Sequence, residues 1–546
     1  MGVAGQAARL GKRALRKALK PAAEPVAPRH DPLPQPSPFP EARYLFANGP
    51  RIPRRYAGRT KSVMLRAKLF SDAGVPSEIL LSEQYSSLGP VLVKARARGD
   101  IGADTGVVSM VAEVDEPDAQ SDQPTTPVEI PGLEAWRDPD AEIYRYFDNG
   151  VYRRYRLFDD DGHLLLEDFF NDNRARTKRD EYDPAGRVAR TTYYDLALNV
   201  PRQEVYFRAD GTAKMTKWLA PDPDSPLPRL ERATIFDHSG RPVEVERSDA
   251  KLFHDRLDEI IGGRRTFLVC DDRRLDAMFL TYARPNVKRI FVLHNPHLDL
   301  LAGKDGAIHP LYRALMASPD SADAVVFLTD AQRADAEALT GPRDHYFVIP
   351  HPIAIPEPST LPRDPRTALM LTRFVPQKRL THAVRAWAKV VQEVPDAKLD
   401  IFGFGGERPK VQALIDQLGV GASVSVNDYT TDPQRLLQEA AFTMLTSKFE
   451  GFGLSALESL AQGCPVVSYD VKYGPAEIID DGVTGLLVPD GSVSGLAEAC
   501  VKLLKNAPLR ESMGAAGRES AKQFDADAYV ARWASLCNRL DAQGWG

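Results

Sequence analysis

The chain has 546 residues, 43% hydrophobic and 27% charged, which is too long for one hydrophobic core and implies two or three domains. A formal net charge of -5 excludes both a strongly acidic chain and a surface built to wrap nucleic acid, so any positive site must be local. Cys270, Cys464, Cys500 and Cys537 stand far apart without disulfide-framework or metal-ligand spacing, and no apolar run is long enough to span a bilayer.

The first twenty residues carry Arg9, Lys12, Arg13, Arg16, Lys17 and Lys20 without an acid, while Leu10, Ala14, Leu15, Ala18 and Leu19 recur at helical spacing. Two readings of this basic amphipathic helix stand side by side: peripheral contact with the inner face of the cell membrane, or a solvated tail. Gln6 occupies the place where a myristoylation signal wants Ser or Thr. With no apolar signal core, a reducing cytoplasm is the expected home. Residues 1–40 are thus read as a basic helix and a proline-rich tether.

RYLFAN followed by KSVMLRAKLF reads as a βα unit, the first part of an N-terminal Rossmann-like domain over 41–105. The pattern then breaks, and residues 106 to about 140 are read as acidic, proline-rich and structureless. From Glu142 to about Glu246 short alternating strands are separated by a recurring turn of aromatic, acid and glycine, closing at Gly150, Gly162, Gly186, Gly211 and Gly240. Such turns join antiparallel hairpins, so 106–250 is expected to be an all-β meander inserted into the α/β domain for oligomerisation or for binding an acceptor or partner. Its arginines, alternating with aromatics, fit either a grip on an anionic polymer or the wet face of a one-sided sheet.

The α/β alternation resumes over 251–355 with TFLVCDD, RIFVLHNPH, DAVVFLTD and HYFVIPHPI, and the prolines at 355 to 365 mark a linker. A second α/β series fills 356–519, and 520–546 is expected to be a C-terminal helix packing back toward the N-terminal domain. The fold class is therefore α/β, two doubly wound domains facing a cleft, with the meander inserted in the first. Ligands of such sheets bind beyond the carboxyl ends of the strands.

Four charged residues stand where strands give way to helices: Arg373 and Lys378 in LTRFVPQKRL, and Glu450 and Glu458 around GFGLSALESL. Two cations on one strand-to-helix loop suit a diphosphate, neutralising the charge that builds on it as a leaving group. The turn through Gly451, Phe452, Gly453 and Leu454 opens a helix, and its backbone N–H groups, expected to be exposed, suit the same diphosphate. Glu450 precedes the turn and Glu458 lies about two helical turns after it, placing the two acids at opposite ends of one ligand. GFGGER at 403 to 408 departs from a dinucleotide fingerprint at Arg408, and Asp138-Pro139-Asp140 lies in a loop with no need of a metal.

In this ordered set, together with GCPVVSYDVKYGPAEIIDDGVTGLLVP, the chain resembles the retaining GT-B glycosyltransferases of glycosyltransferase family four over about residues 366 to 505. The resemblance implies that Arg373 and Lys378 bind the donor diphosphate, that Glu450 contacts the transferred sugar and that Glu458 contacts the ribose. Thr372, where many relatives have glycine, touches only the local loop. The β insertion and the YGP-x-EII string are similar to two branches: poly(glycerol-phosphate) and poly(ribitol-phosphate) α-glycosyltransferases, and accessory-secretion O-glycosyltransferases acting on Ser-rich proteins. His294 resembles a histidine near the donor sugar, with His297 a second candidate, and the loop carrying Gly58 resembles the glycine loop that approaches the donor phosphate. Arg51, Arg54, Arg55 and Arg59 in that loop could attract a phosphate-bearing acceptor. The implied substrates are a nucleotide sugar, UDP-glucose or UDP-N-acetylglucosamine, and an anionic glycopolymer or protein acceptor, without cofactor, metal or nucleic acid. A catalytically dead GT-B protein that only recognises glycans or steadies a partner is the reading from another class.

Overall fold

The structure is a computed structural model that describes residues 34–546 apart from 51, 53–57, 83–87, 112–124, 140, 160, 184, 223–227 and 302–305. The basic segment at 1–20, most of the tether, and Arg51, Arg54, Arg55 and Asp140 lie outside the described residues. In chain order the strands begin with β1 (Arg43–Gly49), β2 (Ser77–Leu81) and β3 (Gly106–Ser109). A ten-stranded run follows, from β4 (Glu134–Arg137) to β13 (Pro242–Glu246). Next come β14 (Thr266–Cys270), β15 (Val287–Val292), β16 (Ala324–Phe327) and β17 (Tyr346–Val348). The last set is β18 (Asp364–Arg373), β19 (Lys398–Phe404), β20 (Val424–Asn427), β21 (Ala440–Leu445), β22 (Val466–Asp470) and β23 (Gly485–Pro489).

Two of the three sheets among the described residues are parallel, with orders β17-β16-β15-β14-β1-β2-β3 and β20-β19-β18-β21-β22-β23. Counted in its own chain order the second sheet runs 3-2-1-4-5-6, the doubly wound arrangement whose order reverses between the first and fourth strands. That reversal lies between β18 and β21 here, and between β1 and β14 in the first sheet. The strands are near-continuous apolar runs because helices cover both faces: β21 is buried throughout, and β14 likewise. Helix α1 (Arg59–Asp72) follows β1, and α2 (Leu380–Glu393) follows β18. On α2, Leu380, Ala383, Val384, Trp387 and Val390 fall on one face and fill the core of the second sheet.

The stretch expected to be structureless from residue 106 instead supplies β3, which pairs in parallel with β2 from Glu78↔Gly106 to Leu81↔Ser109. Valines 107 and 108 give it strand propensity, and β2 offers an open edge to pair with. Residues 134 to 137 likewise form a strand, the outer edge of the antiparallel sheet.

The meander joins sequential neighbours throughout, from β4 at one edge to β13 at the other. Asn149 and Gly150, with φ of 46° and 80°, make a two-residue turn between the paired Asp148 and Val151, the geometry that Asn-Gly favours. The other glycine turns share a different plan, in which an N–H at the first residue bonds the carbonyl four residues on, as in Asp159 to His163 and Asp237 to Arg241. Gly162, Gly186, Gly211 and Gly240 all take φ between 75° and 85°. The acid of the motif accepts from the turn's own backbone: Asp237 Oδ1 from Ser239 and Arg241 at 2.8 and 2.9 Å. Two further turns of the series escaped the glycine pattern, because Arg174 (φ 59°) and Asn199 (φ 53°) stand in the left-handed position.

One end of the meander is anchored: Tyr206, Met215, Leu219, Leu230 and Ala233 share a core with Leu252, Phe253 and Leu257 of the following helix Asp249–Ile261. Elsewhere charge takes the place of a second layer. Buried Glu167 accepts from Arg154 and Arg156, each at 3.0 Å, and buried Asp168 accepts from Arg179 at 2.7 and 2.8 Å. Lys178 pairs with Asp180 at 2.7 Å, and Arg190 with Glu181. Many of the basic groups along the strands are thus matched by acids of the sheet itself, as a wetted sheet requires.

Helix α3 (Leu454–Ala461) follows β21, and α4 (Ala526–Ala542) closes the chain. Tyr529, Trp533, Leu536, Cys537 and Leu540 of α4 pack in one cluster with Tyr44, Phe46 and Phe70 of the first sheet and α1. The four cysteines are buried free thiols.

Candidate functional site

Arg373 ends β18, and the chain then turns through Pro376–Lys378 before α2 begins. The turn is stitched to the loop after β21. Thr446 Oγ1 donates to the Lys378 carbonyl at 2.7 Å, Gln377 Nε2 to the Phe449 carbonyl at 2.9 Å, and the Lys448 N–H to the Gln377 carbonyl at 2.8 Å. Arg379, held at φ 46°, donates to the carbonyls of Thr446 and Ser447, pairs with Asp490 and lies 4.9 Å from the Tyr469 ring centre. These ties fix the two loops at the strand-order reversal, where an open α/β sheet receives ligands.

Their product is one buried ion pair. Lys378 Nζ lies 2.6 Å from Glu450 Oε1, with 15% and 10% of the respective side chains exposed. Ser447 donates its hydroxyl to the same carboxylate oxygen. Arg373, the last residue of β18, is by contrast exposed, and its side chain has no hydrogen-bond or ion-pair partner among the described residues. A cation fixed by an acid and a free cation five residues away thus share one loop.

After Glu450 the chain passes through Gly451, Phe452 and Gly453 into α3. These three residues are buried. Gly451 presses against the first half of the chain: a Cβ there would come within 2.1 Å of the His294 carbonyl oxygen. Phe452 packs edge-on to His351 at 5.6 Å, and Gly453, with φ 102°, caps the helix without a side chain. Within the described residues no hydrogen-bond partner is found for the N–H groups of Gly451, Phe452, Gly453 or Leu454, the orphan donors that any helix start leaves.

Glu458 stands on the second turn of α3 with about a third of its side chain exposed (35%), facing α1 of the other half, where Lys61 Nζ is 3.9 Å away. Burial pushes its pKa up and Lys61 opposes that only in part. Gly58 precedes α1 with φ 55° and open space where a Cβ would be. Arg59, expected to attract an acceptor, is paired with Asp272 at 3.1 Å and shares that carboxylate with Arg274, so the three groups keep a net positive charge.

His294 follows β15. Its Nε2 lies 2.7 Å from Asp271 Oδ1, and its ring stacks on His351 with centres 5.4 Å apart. Burial lowers its pKa against the pull of Asp271. His297 is fully buried, stacks on Tyr473 at 6.3 Å and is pushed down to about 4 by burial. Around it the two halves are tied: Tyr473 Oη and Lys472 Nζ each reach Asp335 Oδ2 at 2.7 Å, and Glu477 accepts from the N–H groups of Asp330 and Ala331 at 2.9 and 2.8 Å.

The structure therefore joins Lys378 to Glu450 directly and, through Gly451, sets them against His294. Glu458 sits one helix further on, opposite α1. Sequence reasoning missed Ser447, Arg379, Asp271 and His351. Ser447, three residues before Glu450, and His351, which follows a strand end as His294 does, were open to the same strand-end logic; Asp271 and Arg379 carried no signal beyond position.

Residues 353–520 match the family model of glycosyl transferases group 1. The chain is 26% identical over 514 residues to the poly(glycerol-phosphate) alpha-glucosyltransferase of Bacillus subtilis, covering 92% of this chain and 76% of that protein. Its fold matches a crystal structure of TarM with a TM-score of 0.75 at 20% identity, over 92% of this chain and 99% of the other. A mutant of S. aureus TarM in complex with Fondaparinux, alpha-GlcNAc-glycerol and UDP matches with a TM-score of 0.73 at 19% identity, over 91% of this chain and 100% of the other. These likenesses show the GT-B fold: two Rossmann-like halves with a β insertion in the first.

Proposed function

We propose that this GT-B glycosyltransferase moves a hexose or N-acetylhexosamine from a UDP-sugar, UDP-glucose or UDP-N-acetylglucosamine, to a polyol-phosphate polymer of the cell envelope, keeping the donor's α configuration. The observation that carries the reading is the Lys378–Glu450 pair at the strand-order reversal, abutted by His294 through Gly451. The relatives' names, a poly(glycerol-phosphate) glucosyltransferase in one case and a complex with alpha-GlcNAc-glycerol and UDP in the other, support this substrate class.

In this reading Arg373 and Lys378 hold the diphosphate, with the unpaired N–H groups of Gly451 to Leu454 and the glycine at 58 approaching it. Positive charge at that place stabilises the leaving group more as the bond breaks than before. Glu450, paired with Lys378, accepts from hydroxyls of the transferred sugar, and Glu458 accepts from the ribose. The acceptor hydroxyl attacks the anomeric carbon from the face the diphosphate leaves. The carbon–oxygen bond to phosphate breaks, its electron pair stays with the diphosphate, and a phosphate oxygen takes the hydroxyl's proton. The anomeric carbon keeps its configuration and no covalent enzyme intermediate forms.

A screen of nucleotide sugars against poly(glycerol-phosphate), poly(ribitol-phosphate) and a Ser/Thr-rich peptide, read by mass spectrometry, tests the assignment. Transfer to a polyol-phosphate supports it. Transfer to the peptide alone would assign protein O-glycosylation instead, and neither transfer nor donor hydrolysis would indicate a protein that only binds glycans.

A further inference from the structure

Behind His294 lies a chain of buried charge that no step above uses. Arg66 of α1 is 1% exposed, with its guanidinium carbon 5.0 Å from the Phe46 ring centre and 4.8 Å from that of Trp533 on α4. It donates to Asp271 Oδ1, the oxygen that also faces His294 Nε2 at 2.7 Å. Asp271 stands just past β14, at the order reversal of the first sheet, and is 2% exposed. Fully burying such a pair is costly and needs a reason beyond stability, since apolar side chains of the same volume serve as well or better.

We propose that Asp271, held by Arg66, is a positioning residue that fixes His294 in the tautomer with hydrogen on Nε2, leaving Nδ1 as a bare acceptor for a hydroxyl of the substrate. The inference rests on the reading that His294 faces the transferred sugar. An ionised carboxylate can only accept, so the ring nitrogen it meets must carry the hydrogen. Burial works against ionisation of Asp271, but Arg66 and His294 overcome it and hold the group down at about 2. Burial also lowers the pKa of His294, with Arg66 and Arg273 adding to that and Asp271 opposing it, so the ring is neutral and its second nitrogen is unprotonated. His294 Nδ1 is buried without a partner among the described residues, an acceptor left open in a place where such groups are normally satisfied. Stacking on His351 and the close approach of Gly451 to the His294 carbonyl keep the ring and its backbone in place. A histidine in the wrong tautomer would offer N–H where an acceptor is needed, and an ordered ring in the wrong tautomer is a poor catalyst even with its geometry intact.

The test compares Asp271→Asn with His294→Ala in the full chain. The carboxamide removes the charge that dictates the tautomer and can turn its NH₂ toward the ring, driving the hydrogen to Nδ1. Asp271→Asn is expected to lower kcat by about 10²-fold while the donor KM stays within about threefold, because the defect lies in one hydrogen bond made at the reacting sugar. Whether or not that variant folds, nitrogen-15 spectra of histidine-labelled wild-type protein, assigned by the signal lost in His294→Ala, must show His294 as the Nε2–H tautomer at neutral pH. An Nδ1–H tautomer or an imidazolium overturns the proposal. So does an Asp271→Asn enzyme with wild-type kcat when His294→Ala has lost turnover, a result that leaves the site assignment standing. Full turnover by His294→Ala removes both.

Discussion

Removing the Lys378 amine is the perturbation whose consequences can be worked furthest. At 2.6 Å the pair attracts by about 6 kcal/mol for an effective dielectric of about 20, and withdrawing each ion from water costs several kcal/mol, so the intact bridge is near balance. Lys378→Ala removes the attraction together with the lysine's own desolvation cost and strands Glu450 with its cost uncompensated, though its carboxylate keeps Ser447 as a donor. Because both side chains retain slight exposure, the loss of stability should be about 2 to 3 kcal/mol, below the range for a fully enclosed pair. Turnover should fall by about 10²- to 10³-fold, as expected when one preorganised positive group is taken from a developing anion. The double variant Lys378→Met with Glu450→Gln should regain most of the stability, having no buried charge to strand, and none of the turnover. Urea unfolding and steady-state transfer of sugar from a UDP donor measure the two quantities on the same samples. Recovery of turnover in the double variant, or a Lys378→Ala enzyme within threefold of wild type, would refute the reasoning.

Glu458→Gln should weaken UDP binding by about tenfold, the equivalent of about 1.4 kcal/mol, with a smaller effect on kcat, since a ribose contact is made equally before and during transfer; titration calorimetry with UDP reads it, and unchanged affinity would place the ribose elsewhere. His297 carries a pH dependence of stability. Its folded pKa of about 4 lies below the unfolded value near 6.5, so the folded state binds fewer protons between those values. The contribution is therefore complete above about pH 6.5 and is lost as pH falls toward 4, amounting to about 1.3 kcal/mol between pH 7.5 and 5.5. His297→Phe should flatten the stability profile by that amount, and an unaltered slope would show the ring to be protonated or solvated in the folded state.

Much of the fold was legible because its signals are local. The buried runs of β14, β15 and β21 and the apolar face of α2 announce themselves at short range, and the acid-to-glycine turns mark four of the later hairpins. The turns at Arg174 and Asn199 did not, because neither has the glycine that closes the other turns of the series. The strand Gly106–Ser109 was hidden by the acidic, proline-rich sequence that follows it, and only the open edge of β2 gives it a reason to form. In the site, loop position brought Lys378 and Glu450 to notice, yet their direct pairing depends on ties between two loops about seventy residues apart. The same holds for the burial of Gly451 against His294, a contact between halves that no window of sequence contains. Asp271 and Arg66 are separated by the whole meander, and their meeting is a product of sheet order alone.

The anomeric configuration of the product, read by proton NMR after transfer from an α-linked UDP-sugar to polyol-phosphate, tests the central claim most directly. Same-face displacement in the Lys378–Glu450 site predicts an α linkage with wild-type protein and the same α product, formed about 10²- to 10³-fold more slowly, with Lys378→Ala. A β-linked product would contradict it.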